Sequence, residues 1–256
     1  MATQESTPTV ISMWSAPRSL STVLYFSFGQ HSDCKVFDEP LLFYFFKKIN
    51  FCRPGIEQYV DSEESEKETH LRNIFHTDHG KQFHYIKNMC FQWIDIEDQY
   101  FAKMKHCFLI REPKRMVASF LKHRECSAED FAYDKMWKFY EEAVALGQTP
   151  VVVDSDEIAK DPKTMLAAFC KLNGMPFEEN MLTWEPGARE EQIILPDTWY
   201  GEALKSTGFK TVTGDLKPVD IDARFQHVID EMQPFYDRLV ANSLTLEKAI
   251  KVMSED

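Results

Sequence analysis

The sequence predicts an α/β fold, in which a parallel β-sheet of about five strands is flanked by helices. Five short apolar segments rich in β-branched and aromatic residues recur along the chain, separated by stretches with helical character. Short apolar strands that alternate with helices are typical of βαβ units, whose sheet is covered on both faces. The chain shows no internal repeat and no low-complexity segment, so we predict a single domain over residues 1–256.

The first half of the predicted fold contains three strands. They cover residues 9–14, 35–38 and 82–87. The helices between them cover residues 20–29, residues 41–49 and the stretch from the polar segment 61–67 to His79. Pro40 supports the start of the second helix, because proline is well suited to the first helical position. We expect residues 1–8 to be a flexible N-terminus.

The second half contains two more strands and several helices with clear start signals. The strands cover residues 106–111 and 150–153, and the helices cover 113–122, 127–146, 161–173, 221–241 and 245–253. Ser127 and Asp130 have the spacing of a capping box, and Asp161 followed by Pro162 is a good N-cap and first helical residue. We expect residues from about 186 to 256 to form a C-terminal loop with helical decoration.

Composition excludes several classes of function. The net charge of −12 gives no basic footprint for nucleic acid, and no basic segment suits a membrane surface. The longest apolar run, residues 41–46, is far shorter than the roughly 20 residues of a membrane span, and the N-terminus does not resemble a signal peptide. The six cysteines are scattered without metal-site spacing, which favours reduced thiols and a cytoplasmic location.

The turn after the first strand carries a candidate anion site. Ser19, Ser21 and Thr22 lie at a predicted helix N-terminus, where unpaired N–H groups favour an anion, and Arg18 adds a cation with a planar fork suited to phosphate. The segment lacks the glycines and the lysine of a Walker A loop, which disfavours an ordinary ATP or GTP kinase. A serine-capped helix without a ligand is the alternative for this segment alone.

A second motif follows the fourth strand and makes the pattern more specific. Its Arg111, Pro113 and Ser119 are in register with the 3′-phosphate signature of sulfotransferases that use 3′-phosphoadenosine 5′-phosphosulfate (PAPS). The first turn resembles the 5′-phosphosulfate loop of the same family, with Arg18 in place of its lysine and Leu20 in place of its glycine. The resemblance extends over about residues 10–210, and the chain resembles a divergent branch with WSxPR and DEP motifs.

This resemblance implies a P-loop-NTPase-like sulfotransferase fold, PAPS as co-substrate, its desulfated form PAP as product, and no metal. It implies an enzyme that transfers a sulfuryl group to a small-molecule acceptor. The residues it assigns to the donor site are Pro17, Arg18, Ser19, Leu20, Ser21, Thr22, Arg111, Ser119, Ser206, Thr207, Gly208, Phe209 and Lys210. Ser155 stands where many relatives have a tyrosine near adenine, so that stacking contact is not expected here.

The transfer chemistry needs cations at the leaving group and a base for the acceptor. We assign Lys87, together with Arg18, to the leaving group. Many relatives have a histidine base two residues after this lysine, but here the position is Met89, which cannot take a proton. Glu39 is the base we favour, because a partly desolvated carboxylate can titrate near neutrality. Asp38 is expected to hold the geometry or cap the next helix.

Several alternatives stay open at this stage. The fallback bases are His70 and His84. His76 with His79 could bind a metal, but solvated helix histidines are the interpretation we favour for that pair. The aromatic residues 41–46 with Phe51 could line an acceptor pocket or belong to the core. The rival functions are a kinase-like phosphotransferase and an inactive module that binds PAP. The sequence leaves open the acceptor, the choice between hydroxyl and amine, and a homodimer.

Overall fold

The computed structural model describes residues 7–52, 56–60, 62, 65–189, 200–212, 214 and 217–255. Most of the segment expected to be a flexible N-terminus, residues 1–6, lies outside the described residues, as does part of the predicted polar stretch at 61–67. The strands are β1 Thr9–Ser15, β2 Cys34–Asp38, β3 Phe83–Met89, β4 Met104–Ile110, β5 Val151–Asp154 and β6 Ser243–Leu244. They form one parallel sheet in the order β2-β3-β1-β4-β5-β6.

The helices of the described residues lie between these strands and after them. They are α1 Ser21–Phe28, α2 Leu42–Lys48, α3 Glu57–Val60, α4 Lys67–Phe75, α5 Asp98–Ala102, α6 Pro113–Phe120, α7 Tyr133–Ala145, α8 Ser155–Lys160, α9 Pro162–Leu172, α10 Gly201–Leu204, α11 Gln226–Ala241 and α12 Leu246–Ser254. The predicted α/β class with a helix-flanked parallel sheet is confirmed, with six strands where about five were expected.

Both faces of the sheet are buried, as a parallel sheet requires. Alternate residues of β1 point to opposite faces: Trp14 belongs to the core beneath α6, α7 and α11, whereas Ile11 and Met13 belong to the core beneath α1 and α9. In the first core Trp14 Nε1 donates a 2.9 Å hydrogen bond to His106 Nδ1 of β4. The central strands are therefore fixed by packing on two sides, and their carboxyl ends form one rigid edge.

The segments 127–146 and 186–256 differ from the sequence expectation, and α4 ends at Phe75 instead of continuing to His79. The capping box of Ser127 and Asp130 is present, but it starts a short 3₁₀ turn, and α7 begins only after Ala132, whose φ is 50°. The C-terminal region, expected as decoration, contributes strand β6 and buried core residues of α11, including Met232 and Leu239. A two-residue strand has no periodicity to detect, which is why the sequence did not indicate β6.

Candidate active site

The turn between β1 and α1 has an unusual backbone. Arg18 and Leu20 both have a φ of 69°, in the left-handed region that residues with a Cβ rarely adopt. Ser19 lies between them, fully buried, and its hydroxyl donates a 2.7 Å hydrogen bond to the carbonyl of Ala16. The Ser19 side chain therefore closes the turn.

Two arginines from the two predicted motifs meet beside this turn. Arg18 Nε donates to Ser119 Oγ over 3.0 Å, and an Arg111 terminal nitrogen donates to the Arg18 carbonyl over 3.0 Å. Burial, and then the charge of Arg111, lower the pKa of Arg18. Within the described part of the chain the buried Arg111 Nε has no hydrogen-bond acceptor, and its ion-pair partner Asp156 Oδ1 is 3.8 Å away. Two adjacent cations, one of which has an N–H without a hydrogen-bond acceptor among the described residues, favour an anion here.

Tyr133 holds the backbone of Arg111 in place. Its hydroxyl accepts a 3.0 Å hydrogen bond from the Arg111 N–H and donates a 2.8 Å bond to the Arg111 carbonyl. Tyr133 is buried at the start of α7, and burial raises the pKa of its phenol. Ser119 projects from α6, which begins at Pro113 directly after β4. The second motif is therefore positioned by two helices packed on the sheet.

A cavity of about 180 Å³ lies between these motifs and the segment 200–210. Ten of the predicted donor-site residues line it: Arg18, Leu20, Ser21, Thr22, Arg111, Ser119, Ser206, Gly208, Phe209 and Lys210. Pro17, Ser19 and Thr207 are not among its described lining residues. Ser155, whose hydroxyl donates to the Ile110 carbonyl over 2.9 Å, also lines the cavity.

Trp184, which the sequence did not single out, anchors the far wall of this cavity. Its backbone N–H donates to the Thr207 carbonyl over 3.1 Å, and its Nε1 donates to Ser206 Oγ over 3.0 Å. Thr183 forms an antiparallel bridge with Gly208. The loop that carries Ser206–Lys210 is therefore held by hydrogen bonds to a buried tryptophan. The signal available in the sequence was the tryptophan itself, because its ring tends to be buried and its N–H then needs a hydrogen-bond partner.

A second group of polar residues lies at the carboxyl ends of β2 and β3. Lys87 Nζ donates 2.7 Å hydrogen bonds to Asp38 Oδ1 and to Glu39 Oε1, and Gln92 Nε2 donates a 2.6 Å bond to Glu39 Oε2. All four residues are buried. Burial opposes the charge of Lys87, but Asp38 and Glu39 outweigh it and hold the pKa of Lys87 well above its ordinary value. Lys87 is therefore a buried cation that carries its charge.

The backbone fixes Glu39 in this group. Glu39 has a φ of 46°, and its N–H donates to the Lys87 carbonyl over 2.9 Å. Tyr200, at the start of α10, covers the group, with its ring centroid 5.5 Å from Lys87 Nζ. Met89 is buried at the end of β3, where Ser15 Oγ is 3.6 Å from its sulfur. The sequence did not indicate Gln92 or Tyr200, because only tertiary packing brings Gln92 to Glu39 and Tyr200 to Lys87.

The two groups share one edge of the sheet, and the segment 200–210 connects them. Tyr200 contacts Lys87, whereas Glu202 and Ala203 on the next turn line the cavity. Arg18 lies with Arg111 in the cavity wall, while Lys87 is bound to two carboxylates and is not among the described lining residues. The pairing of Arg18 with Lys87 at the leaving group stays a prediction.

The candidate histidines lie in different places. His84 is fully buried three residues before Lys87, roughly 10 Å along the strand, and its Nδ1 is 2.6 Å from the Ile74 carbonyl. Its pKa is lowered by burial. His79 Nε2 donates to the Asn73 carbonyl over 2.9 Å. His70 lies on α4 and stays a fallback, and the described residues contain no group of three or more side chains able to hold a metal ion.

The aromatic segment after Glu39 divides into two parts. Phe43 and Tyr44 are buried, whereas Phe45 and Phe46 are only partly buried and Phe51 is 40% exposed. Phe45 packs against Phe91 with ring centroids 5.3 Å apart. The first part is core, and the second reaches, through Phe45, the residue that precedes Gln92. No helix in the described residues is both long and apolar enough to cross a membrane.

A family model described as a sulfotransferase domain matches residues 9–243. Two proteins of Arabidopsis thaliana, branched-chain-amino-acid aminotransferase-like proteins 1 and 2, are 33% and 32% identical to this chain over 205 and 203 residues. The matches cover 80% and 79% of this chain but 37% and 36% of those proteins. The chain thus spans little more than a third of the length of these relatives.

Three solved structures are distantly similar. The sulfotransferase domain of the curacin biosynthetic pathway has a TM-score of 0.44 at 15% identity, over 97% of each chain. The sulfotransferase domain of the Synechococcus PCC 7002 olefin synthase has a TM-score of 0.42 at 16% identity, over 100% of this chain and 98% of that one. A sulfotransferase from Alicyclobacillus acidocaldarius has a TM-score of 0.48 at 11% identity, over 92% and 93%.

Proposed function

This chain belongs to the sulfotransferase domain family, and we propose that it transfers a sulfuryl group from PAPS to a hydroxyl or amine of a small molecule. The observation that carries the proposal is the cavity in which Arg18 and Arg111 meet, next to the buried group of Lys87 and Glu39. Two cations, with an Arg111 Nε that has no hydrogen-bond acceptor among the described residues, suit a ligand with several anionic groups. We propose the cytoplasm as its location, since all six cysteines are free.

The donor site divides by chemistry. Arg111 and Ser119, with the loop of Ser206 and Lys210, are the residues we assign to the 3′-phosphate, and the turn at Arg18 is assigned to the phosphosulfate. Apolar side chains of Ile158 and Phe209 line the same cavity and offer surface for the adenine ring. PAPS, when bound, supplies an activated sulfuryl group and a phosphate leaving group.

The group of Lys87 and Glu39 supplies the rest of the chemistry. The Glu39 carboxylate takes the proton of the acceptor while the acceptor lone pair forms the new bond to sulfur. The electron pair of the broken sulfur–oxygen bond stays on the phosphate, where the cations Lys87 and Arg18 stabilise it. Asp38 and Gln92 orient Lys87 and Glu39 through the hydrogen bonds given above. Tyr200 shields the group from water, and the lower local dielectric constant strengthens the electrostatic interactions of these charged groups.

Ligand-linked stability tests the donor site. PAP should raise the melting temperature, whereas ATP should not, because a ligand that binds only the native state adds RT ln(1 + [L]/Kd), about 2.7 kcal/mol at a hundredfold excess over Kd. Arg111→Ala should abolish the shift, measured against the unliganded stability of the same variant. Arg224→Ala, which removes an exposed arginine outside the cavity, should keep it.

The rival functions predict different results. A larger shift with ATP than with PAP would favour the kinase-like phosphotransferase and overturn our assignment. The inactive binding module would bind PAP without turnover, a role for which the commitment of Lys87 to two carboxylates is the specific observation. For an active enzyme, Glu39→Gln should keep the PAP shift and lower turnover by about a hundredfold or more, as expected for a general base.

A further inference from the structure

One buried polar atom next to the proposed base has no hydrogen-bond partner in the part of the chain that the structure describes. Gln92 is 1% exposed, and its Oε1 accepts no hydrogen bond from any residue that the structure describes. The orientation of the amide is fixed by its neighbour, because Nε2 lies 2.6 Å from Glu39 Oε2 and a second oxygen at that distance would repel the carboxylate. An unsatisfied buried acceptor destabilises the folded state, so such an atom calls for an explanation.

The position of this atom links it to the acceptor. Within the amide, the oxygen and nitrogen share one carbon, so Gln92 Oε1 lies within roughly 5 Å of Glu39 Oε2. In the proposed reaction Glu39 takes a proton from the reacting atom of the acceptor. A group bonded to that atom, or to its neighbour, therefore comes within reach of Gln92 Oε1.

We propose that Gln92 is a specificity-determining residue that contacts the acceptor, and that the acceptor carries a second hydrogen-bond donor on or next to its reacting atom. The proposal rests on the proposed function. A plain alcohol or a phenol has a single O–H, whose proton goes to Glu39, and it leaves Gln92 Oε1 unsatisfied. A vicinal diol or a primary amine gives one proton to Glu39 and still has an O–H or N–H for Gln92.

The surroundings of Gln92 agree with this assignment. Its neighbour Phe91 packs on Phe45, so the acceptor would approach along the partly exposed rings of α2. The bond-forming step itself is unchanged: the new bond to sulfur forms, the sulfur–phosphate oxygen bond breaks, PAP departs with the electron pair and Glu39 holds the proton. The second donor is not consumed and serves only to orient the acceptor.

Matched acceptors test the proposal. The pairs are catechol with 2-methoxyphenol, trans-1,2-cyclohexanediol with its monomethyl ether, and benzylamine with N-methylbenzylamine. In each pair, methylation removes the second hydrogen-bond donor. The two diol pairs test a neighbouring O–H as that donor, and the amine pair tests a second N–H on the reacting nitrogen. In at least one arm the two-donor member should have a kcat/KM about tenfold or more above its methylated partner, as expected for one buried hydrogen bond.

The variant Gln92→Met should remove that preference, because methionine has a similar shape and no amide. The ratio within the pair should fall to about twofold or less, whereas a purely structural role of Gln92 would slow both members equally. The control is Gln226→Met, which removes an exposed glutamine that also donates to a carboxylate, that of Asp230. This control should keep the preference.

Acceptor binding to the PAP complex, measured by calorimetry, gives a readout without turnover and should show the same preference. Equal values within every pair, a preference that survives in Gln92→Met, or PAP binding with no acceptor bound in any arm would overturn the proposal. These outcomes leave the donor site intact, whereas failure of PAP to bind would overturn the proposed function itself.

Discussion

At the scale of single residues, Leu20 takes a backbone conformation that leucine rarely adopts. It stands where the phosphosulfate loop that this turn resembles has glycine, and it has a φ of 69° and a ψ of 17°. A left-handed conformation costs a residue with a Cβ roughly 1–2 kcal/mol. Leu20 and Arg18 both line the cavity, so this conformational strain is located at the proposed donor site.

We predict that Leu20→Gly is more stable than Leu20→Ala by about 1 kcal/mol, because only glycine relieves the positive φ. Both variants lose the partly exposed leucine side chain beyond its Cβ. The difference in their free energies of unfolding therefore reports mainly the cost of the positive φ. Urea denaturation of the two variants measures the difference. An alanine variant as stable as the glycine variant would show that the turn carries no strain.

The buried group around Lys87 is brought together by the register of two neighbouring strands. Asp38 and Lys87 are direct partners in the register of β2 and β3, and Glu39 follows at once. The sequence indicated each of the three residues but not their mutual hydrogen bonds, since register depends on how the strands pair. Gln92 completes the group from a different segment, and a lone polar residue within the apolar run 90–93 was its only signal in the sequence.

At the scale of elements, the loop over the cavity depends on a close backbone approach. Gly208 lies opposite Thr183, and a Cβ at Gly208 would come within 2.9 Å of the Leu182 carbonyl oxygen. Neither backbone can shift far, because Trp184 is hydrogen-bonded to Ser206 and Thr207 on the same loop. Glycine at this position is therefore required by packing.

We predict that Gly208→Ala weakens PAP binding about tenfold and lowers the free energy of unfolding by about 1–2 kcal/mol, because the loop must move away from residue 182. Calorimetric titration with PAP and urea denaturation measure the two effects. Gly201→Ala is the control, since a Cβ there meets no atom within 4 Å. Equal behaviour of the two variants would mean that the loop does not hold the donor.

At the scale of the whole molecule, two buried groups make stability depend on pH in opposite directions. Burial lowers the pKa of His106 to about 4, and burial raises the pKa of Asp154 to about 6. The unfolded chain protonates His106 near pH 6.5 and the folded chain does not, so this residue removes stability as the pH falls. The folded chain protonates Asp154 first, so this residue adds stability over the same interval.

We predict that His106→Gln loses less stability than the wild type between pH 7 and pH 5, by about 2 kcal/mol, because glutamine also offers one acceptor and one donor but does not titrate. Asp154→Asn should lose more than the wild type over this interval, by about 1 kcal/mol, since it removes the opposing contribution. Urea denaturation at the two pH values checks both. Variants with the wild-type pH dependence would contradict the assignment.

The amino-acid pattern was enough to predict the class of the fold, the positions of its five main strands along the chain, and which residues follow them. Short apolar strands between helices leave few alternatives to a parallel sheet, and the carboxyl ends of such strands meet at one edge. Arg18 was predictable for this reason, because it stands close after a strand, whereas Arg111 and Ser119 were predictable from their resemblance to the family motif; the structure brings all three into one cavity wall.

The contacts among these residues became known only from the three-dimensional structure. It placed Arg18 with Arg111, bound Lys87 to both Asp38 and Glu39, and brought Gln92, Tyr200 and Trp184 to the site from segments without a motif. It also drew the C-terminal helix α11 into the core and added β6 to the sheet. The physical reason is that a strand or a turn is encoded over a few neighbouring residues, whereas hydrogen-bond partners distant in sequence are chosen by the packing of the whole chain.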